Sequence, residues 1–232
     1  MARPKLRQSA VRDECFAGVT YHIEGELVPV LRITLENTAI FFEHHVLLWK
    51  SPATRIGAKP VRGLIKRAIT GMPILLASAT GPGEIAFSRD GAGQIVPIHL
   101  APGQAIDVRE HQYLAATGQV AYGINRVRGI MNWVFGGNTI LIDQFRATEA
   151  EGVVWVHGYG NVFEITLAAD EAIDVEPGAW IYKDPTVRMR TITQNLSAGL
   201  FASAASFFWN RLTGPGRVGL QSLYVPSGAT AA

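Results

Sequence analysis

One stretch of this chain occurs twice. Gly93 to Ile124, GQIVPIHLAPGQAIDVREHQYLAATGQVAYGI, returns as Gly160 to Ile192, GNVFEITLAADEAIDVEPGAWIYKDPTVRMRTI. Gly93 pairs with Gly160, Ile95 with Val162, Ile98 with Ile165 and Leu100 with Leu167, and Ala105-Ile106-Asp107-Val108 is repeated letter for letter as Ala172-Ile173-Asp174-Val175. The offset from 93 to 160 sets a period of about 67 residues, and an internal period constrains the fold before composition does, because each copy must be one building block stacked on its neighbours.

A weaker copy precedes these two. Ile33 and Leu35 fall on Ile98 and Leu100, and, after one deleted residue, Ala39, Ile40 and Phe42 fall on Ala105, Ile106 and Val108, with Leu48 on Leu114. A second recurring piece lies between the copies. Val61-Arg62-Gly63-Leu64-Ile65 answers Val127-Arg128-Gly129-Ile130-Met131, Ile74-Leu75-Leu76 answers Ile140-Leu141-Ile142, and Thr80-Gly81-Pro82-Gly83 returns as Thr213-Gly214-Pro215-Gly216. Three tandem units follow, about 20–88, 89–155 and 156–225, in a single β-repeat domain over 20–226, with a lead-in over 1–19 and a tail over 227–232.

Within each unit, apolar runs rich in Val, Ile and Phe alternate with Pro and Gly turns such as Ala101-Pro102-Gly103 and Glu176-Pro177-Gly178, the pattern of short strands in an all-β body. The spacing predicts a pseudo-threefold sandwich or barrel-like array. One short amphipathic helix is expected near the C-terminus, over 200–212, where Leu200, Phe201, Ala204, Phe208 and Leu212 keep helical spacing.

Composition narrows the function classes. With 48% hydrophobic and 17% charged residues the chain can build a sizeable core and is not of disordered type. Cys15 is the only cysteine, which excludes an internal disulfide and fits a reducing cytoplasmic compartment rather than secretion. The apolar stretch 198–209 is shorter than the ~20 residues a spanning helix needs. A net charge of +2 does not by itself indicate nucleic-acid binding.

The six histidines do not form a metal-ligand pattern. His44 and His45 are adjacent, so a strand would turn them to opposite faces, and in the repeat register His157 falls on Asp90. Asp107 and Asp174 occupy one repeated position, which predicts a structural role such as bonding a turn amide. No catalytic set, metal or cofactor is predicted. The segments between the repeated stretches stand out instead, because each combines bulky apolar residues with positive charge. Leu64 and Ile65 lie beside Arg62, Lys66 and Arg67; Met131, Trp133 and Phe135 follow Arg128; Phe201, Phe207, Phe208 and Trp209 precede Arg211. A pseudo-threefold axis places them at one end, where apolar knobs ringed by cations suit an anionic membrane or a protein partner; buried, they would be a plug or a subunit interface. Trp49, Tyr113 and Trp180 are the candidate stacking platforms for a nucleic acid.

The runs VRGLI, TGMPILLASATGPGEIAF, GQIVPIHLAPGQAIDV and FFWNRLTGPGRVGLQSL resemble the altered-inheritance-of-mitochondria twenty-four type family over about 20–225. The resemblance implies a β fold similar to the tryptophan RNA-binding attenuation protein, threefold assemblies, and, from fungal members, a role at the mitochondrial inner membrane. It supplies no catalytic residues. Where the family pattern has Gly-Glu, this chain has Gly71-Met72 and Gly137-Asn138. The combined expectation is a non-enzymatic scaffold or adaptor, homo-oligomeric with a trimer favoured, cytoplasmic in a bacterium and peripheral at the inner membrane. RNA or other nucleic-acid binding is the alternative, and a small-molecule-binding barrel the second.

Overall fold

The structure, a computed structural model, describes residues 3–7, 11–59, 76–126, 141–195 and 206–223. Three strands lead in: β1 (Lys5–Leu6), β2 (Val11–Phe16) and β3 (Val19–Glu24). Six strands then follow in each of three units. The first holds β4 (Val30–Leu35), β5 (Ala39–Glu43), β6 (Leu47–Lys50), β7 (Arg55–Ala58), β8 (Leu76–Thr80) and β9 (Gly83–Phe87). The second holds β10 (Gly93–Leu100), β11 (Ala105–Arg109), β12 (Tyr113–Thr117), β13 (Val120–Arg126), β14 (Leu141–Ala147) and β15 (Gly152–Tyr159). The third holds β16 (Val162–Leu167), β17 (Ala172–Val175), β18 (Trp180–Lys183), β19 (Arg188–Asn195), β20 (Ser206–Thr213) and β21 (Gly216–Gln221). Among the described residues the helical content is one 3-10 turn, His44–Val46.

The same antiparallel ladders recur in every unit. First strand pairs with sixth (β4·β9, β10·β15, β16·β21), second with fifth (β5·β8, β11·β14, β17·β20) and fourth with fifth (β7·β8, β13·β14, β19·β20). Third pairs with sixth, each time through a register shift, at Leu47/Trp49, Tyr113/Ala115 and Trp180/Tyr182. Units join when the second strand of one pairs with the third strand of the next, as β5·β12 and β11·β18. The resulting sheets run β2-β3-β4-β9-β6, β10-β15-β12-β5-β8-β7, β1-β16-β21-β18-β11-β14-β13 and β17-β20-β19, with no closed barrel among the described residues.

Burial follows from these positions. β3 alternates because one face meets the core and the other water, whereas every residue of β15 is buried, since β15 lies between β10 and β12 with core on both faces. Three apolar clusters fill the spaces between successive sheets: Ile33, Phe42, Phe87 and Trp155 in one; Phe41, Tyr113, Phe145 and Val154 in the next; Ile165, Trp180, Leu212 and Val218 in the third. A fully buried side chain of this size contributes about 1.5–3 kcal/mol.

The repeated Thr-Gly-Pro-Gly is a turn whose glycines are required by space. A Cβ on Gly81 would overlap the carbonyl oxygen of Glu36, and one on Gly214 that of Ala168. The helix expected over 200–212 is corrected for the residues the structure describes. Ser206–Thr213 is a strand, β20, paired on both sides by β17 and β19; 200–205 lie outside the described residues. Periodicity alone does not separate a short apolar run in a strand from one in a helix, and the residues that keep helical spacing here also fit a strand.

Candidate functional site

The antiparallel arrangement puts the β5–β6, β11–β12 and β17–β18 turns at the end of the sheets where β7/β8, β13/β14 and β19/β20 make their last pairs, Ala58 with Ala77, Arg126 with Leu141 and Asn195 with Ser206. The connections 60–75, 127–140 and 196–205 leave from that one end. Of the residues singled out above, Arg62, Leu64, Ile65, Lys66, Arg67, Arg128, Met131, Trp133, Phe135 and Phe201 lie outside the described residues. Phe207 falls in β20 opposite Gln194. Phe208 and Trp209 are half-buried, opposite Thr193 and Ile192. Arg211 makes a two-pronged ion pair with Asp174, 2.6 Å for each bond, which holds the Asp174 carboxyl below its ordinary range. Of the three aromatic platforms, Tyr113 (0% exposed) and Trp180 (1%) are core residues, and Trp49 is 48% exposed.

At the same end a polar cluster joins the first two units, of which sequence reasoning had weighed only the histidines, against a metal site. Arg89, just past β9, is buried and donates to Glu43 Oε2 at 3.3 Å and to the Tyr113 carbonyl at 3.5 Å. His45 Nε2 lies 3.3 Å from the same Glu43 oxygen. Asp90 Oδ1 accepts from Tyr159 Oη at 2.9 Å and stands 3.6 Å from Arg89 Nε, and the Tyr159 ring meets His157 edge-on with centroids 4.9 Å apart. Burial pushes Glu43 up to about 7 despite the pull of Arg89. Burial, then Arg89, pushes His157 down to about 4 and lowers His45 and His111 as well. A carboxyl near neutrality can exchange a proton, but its partners here are a guanidinium and an imidazole belonging to adjoining turns. The cluster ties strand ends together and presents no nucleophile beside a base. Among the described residues no group of three or more His, Cys, Asp or Glu has the geometry to hold a metal ion.

His157 does not correspond to Asp90. Ser88, His157 and Gln221 each donate a backbone N–H to the turn of their own unit, at Val46, Gln112 and Ala179, and so occupy one position. Ser88 and Gln221 are satisfied there, Gln221 accepting from the Tyr159 N–H at 3.0 Å and donating to the Gly178 carbonyl at 2.8 Å. Both His157 ring nitrogens are buried with no hydrogen-bond partner among the described residues; the Gly91 backbone lies near enough to favour the charged ring but outside bonding geometry.

Asp107 and Asp174 are structural, but they bond side chains of neighbouring strands rather than turn amides. Asp107 Oδ2 accepts from Lys183 Nζ at 2.7 Å across the β11·β18 ladder, both residues buried, while Oδ1 accepts from Gln144 at 2.8 Å. Lys59, just before the 60–75 connection, has its Nζ 3.3 Å from the Phe41 ring centroid and donates to the Val120 carbonyl at 3.4 Å, and burial lowers it to about 8.

A family model described as mitochondrial biogenesis AIM24 matches residues 21–223. Among solved structures, the chain is similar to protein SPYM3_0169 from Streptococcus pyogenes, with a TM-score of 0.65 and 18% identity over 89% of this chain and 94% of that one. At that identity the likeness is one of fold. No curated protein matches the chain. Among the described residues no helix is long and apolar enough to cross a membrane.

Proposed function

The chain belongs to the mitochondrial biogenesis AIM24 family, and from that premise we propose that it is a non-enzymatic scaffold or adaptor, homo-oligomeric, which engages an anionic membrane surface or a membrane-protein partner through one end of its β body. The observation that supports this reading is the common end from which 60–75, 127–140 and 196–205 depart. Those connections hold the bulky apolar residues Leu64, Trp133, Phe135 and Phe201 and the cations Arg62, Lys66, Arg67 and Arg128. Three such segments on one rigid base act together, so weak individual contacts add as avidity.

Co-sedimentation with vesicles containing about a third anionic lipid tests it. The protein is expected to pellet with these vesicles and not with neutral ones, and Trp133→Asp or the pair Lys66→Glu/Arg67→Glu is expected to weaken binding at least tenfold, each juxtamembrane cation contributing about 1 kcal/mol. Binding indifferent to both lipid charge and these substitutions sinks the membrane version. Phe208 is a poor probe because it is half-buried in β20.

A further inference from the structure

Each junction inside the chain joins a second strand to the third strand of the next unit, and among the described strands one of each kind is left over. β6, the third strand of the first unit, ends the five-stranded sheet, and β17, the second strand of the third unit, ends the three-stranded sheet. The ladders fix which residues correspond. Through their pairing to β9, β15 and β21, Trp49, Ala115 and Tyr182 share one position and Lys50, Ala116 and Lys183 the next. Through β8, β14 and β20, Phe42, Val108 and Val175 share one position and Phe41, Asp107 and Asp174 the next.

We propose that β17 of a second copy of this chain pairs antiparallel with β6, setting Trp49 opposite Val175 and Lys50 opposite Asp174. Two independent observations carry it. The first is burial: Leu48 and Trp49 are 49% and 48% exposed, whereas their counterparts Leu114, Ala115, Ile181 and Tyr182 are all 0–1% exposed beside a neighbouring strand. The second is charge. Asp107 and Lys183 form the buried ion pair of the β11·β18 junction, and the two free edges keep the same residue types at those positions, Lys50 on β6 and Asp174 on β17. Asp174 would keep its bond to Arg211, which stands where Gln144 bonds Asp107. The contact is head-to-tail, so it builds a ring if the rotation closes and a filament if it does not. It deepens the oligomeric part of the function proposed above and rests on that part alone.

Cysteines on separate chains test it. In a Cys15→Ser background, Lys50→Cys and Asp174→Cys proteins are oxidised alone and mixed, since partners across an antiparallel ladder lie within disulfide reach. The mixture is expected to give a disulfide-linked dimer and neither protein alone to do so. No dimer in the mixture above the single-protein controls overturns the proposal. So does a chain carrying both cysteines that cross-links only to itself, which would mean the edges close within one molecule. Light scattering on the unmodified chain is expected to show an assembly, and Trp49→Asp, at an exposed edge position, to weaken association at least tenfold with its β content by circular dichroism unchanged; a monomeric parent protein overturns the pairing. Vesicle binding reads the other part of the function separately: a monomer that binds vesicles sinks only the pairing, and an assembly that ignores them sinks only the membrane reading.

Discussion

At the β5·β12 junction Phe41 stands opposite Ala116 and Phe42 opposite Ala115, all four buried. At the β11·β18 junction the same positions hold Asp107 opposite Lys183 and Val108 opposite Tyr182, also buried. One backbone register is thus sealed once by a large and a small apolar side chain and once by an ion pair. Burying two charges costs about what their attraction returns, so stability does not explain the second solution. Discrimination does. If β5 paired with β18, Lys183 would be buried against Phe41 with no counter-charge, and repeated units that could mispair are held in order by that cost.

Removing one half of the ion pair is the largest perturbation. Asp107→Leu leaves Lys183 buried and unpaired and is expected to lower stability by about 3–5 kcal/mol in urea unfolding. Asp107→Phe together with Lys183→Ala imports the first junction's pair, and the double variant is expected to lie within about 2 kcal/mol of the parent, because a well-packed apolar replacement of a buried ion pair is close to neutral. A double variant as unstable as Asp107→Leu would show that the two junctions are not interchangeable. At the first junction Phe41→Ala removes a ring packed on Tyr113 and Phe145 and carrying Lys59 on its face, with an expected cost of about 3–4 kcal/mol. Tyr113→Phe removes only the hydroxyl that donates to the Phe41 carbonyl at 2.6 Å, and is expected to cost about 1–2 kcal/mol.

These junctions also mark how far the sequence was readable. Ala105-Ile106-Asp107-Val108 and its copy predicted two strands in equivalent places, and β11 and β17 occupy them, because a register shared with fixed neighbours preserves small and branched residues at set positions. The Gly-Pro-Gly turns were legible because close backbone approach admits little else. The partner of Asp107 was not legible: Lys183 is 76 residues away on another unit, and spacing says nothing of which edge meets which. The Arg89 cluster was hidden for the same reason, its members coming from the ends of separate strands. β20 was misread because periodicity alone cannot separate a short buried strand from a helix.

The smallest expected effect separates the polar ends of the junctions. Folding lowers His157 from 6.5 to about 4 and raises Glu43 from 4.5 to about 7. The unfolded chain therefore binds more protons at His157 between those two values, so that contribution is complete above 6.5 and is lost as pH falls through 4. At Glu43 the folded chain binds more, so its contribution is complete below 4.5 and is lost as pH rises through 7. The slopes oppose each other over the shared range and leave stability nearly flat near pH ~5–6. His157→Gln removes one of them. It places the residue of Gln221 at the equivalent position, where a Gln accepts a backbone N–H and donates to a turn carbonyl, so stability at pH ~7 is expected to stay within about 1 kcal/mol of the parent. The Glu43 slope is then opposed by His45 and His111 but no longer by His157, and the urea midpoint of the variant should fall relative to the parent's as pH rises from about 4.5 to about 6.5. A variant that keeps the parent's flat profile would mean that His157 is not the group that loses its charge on folding.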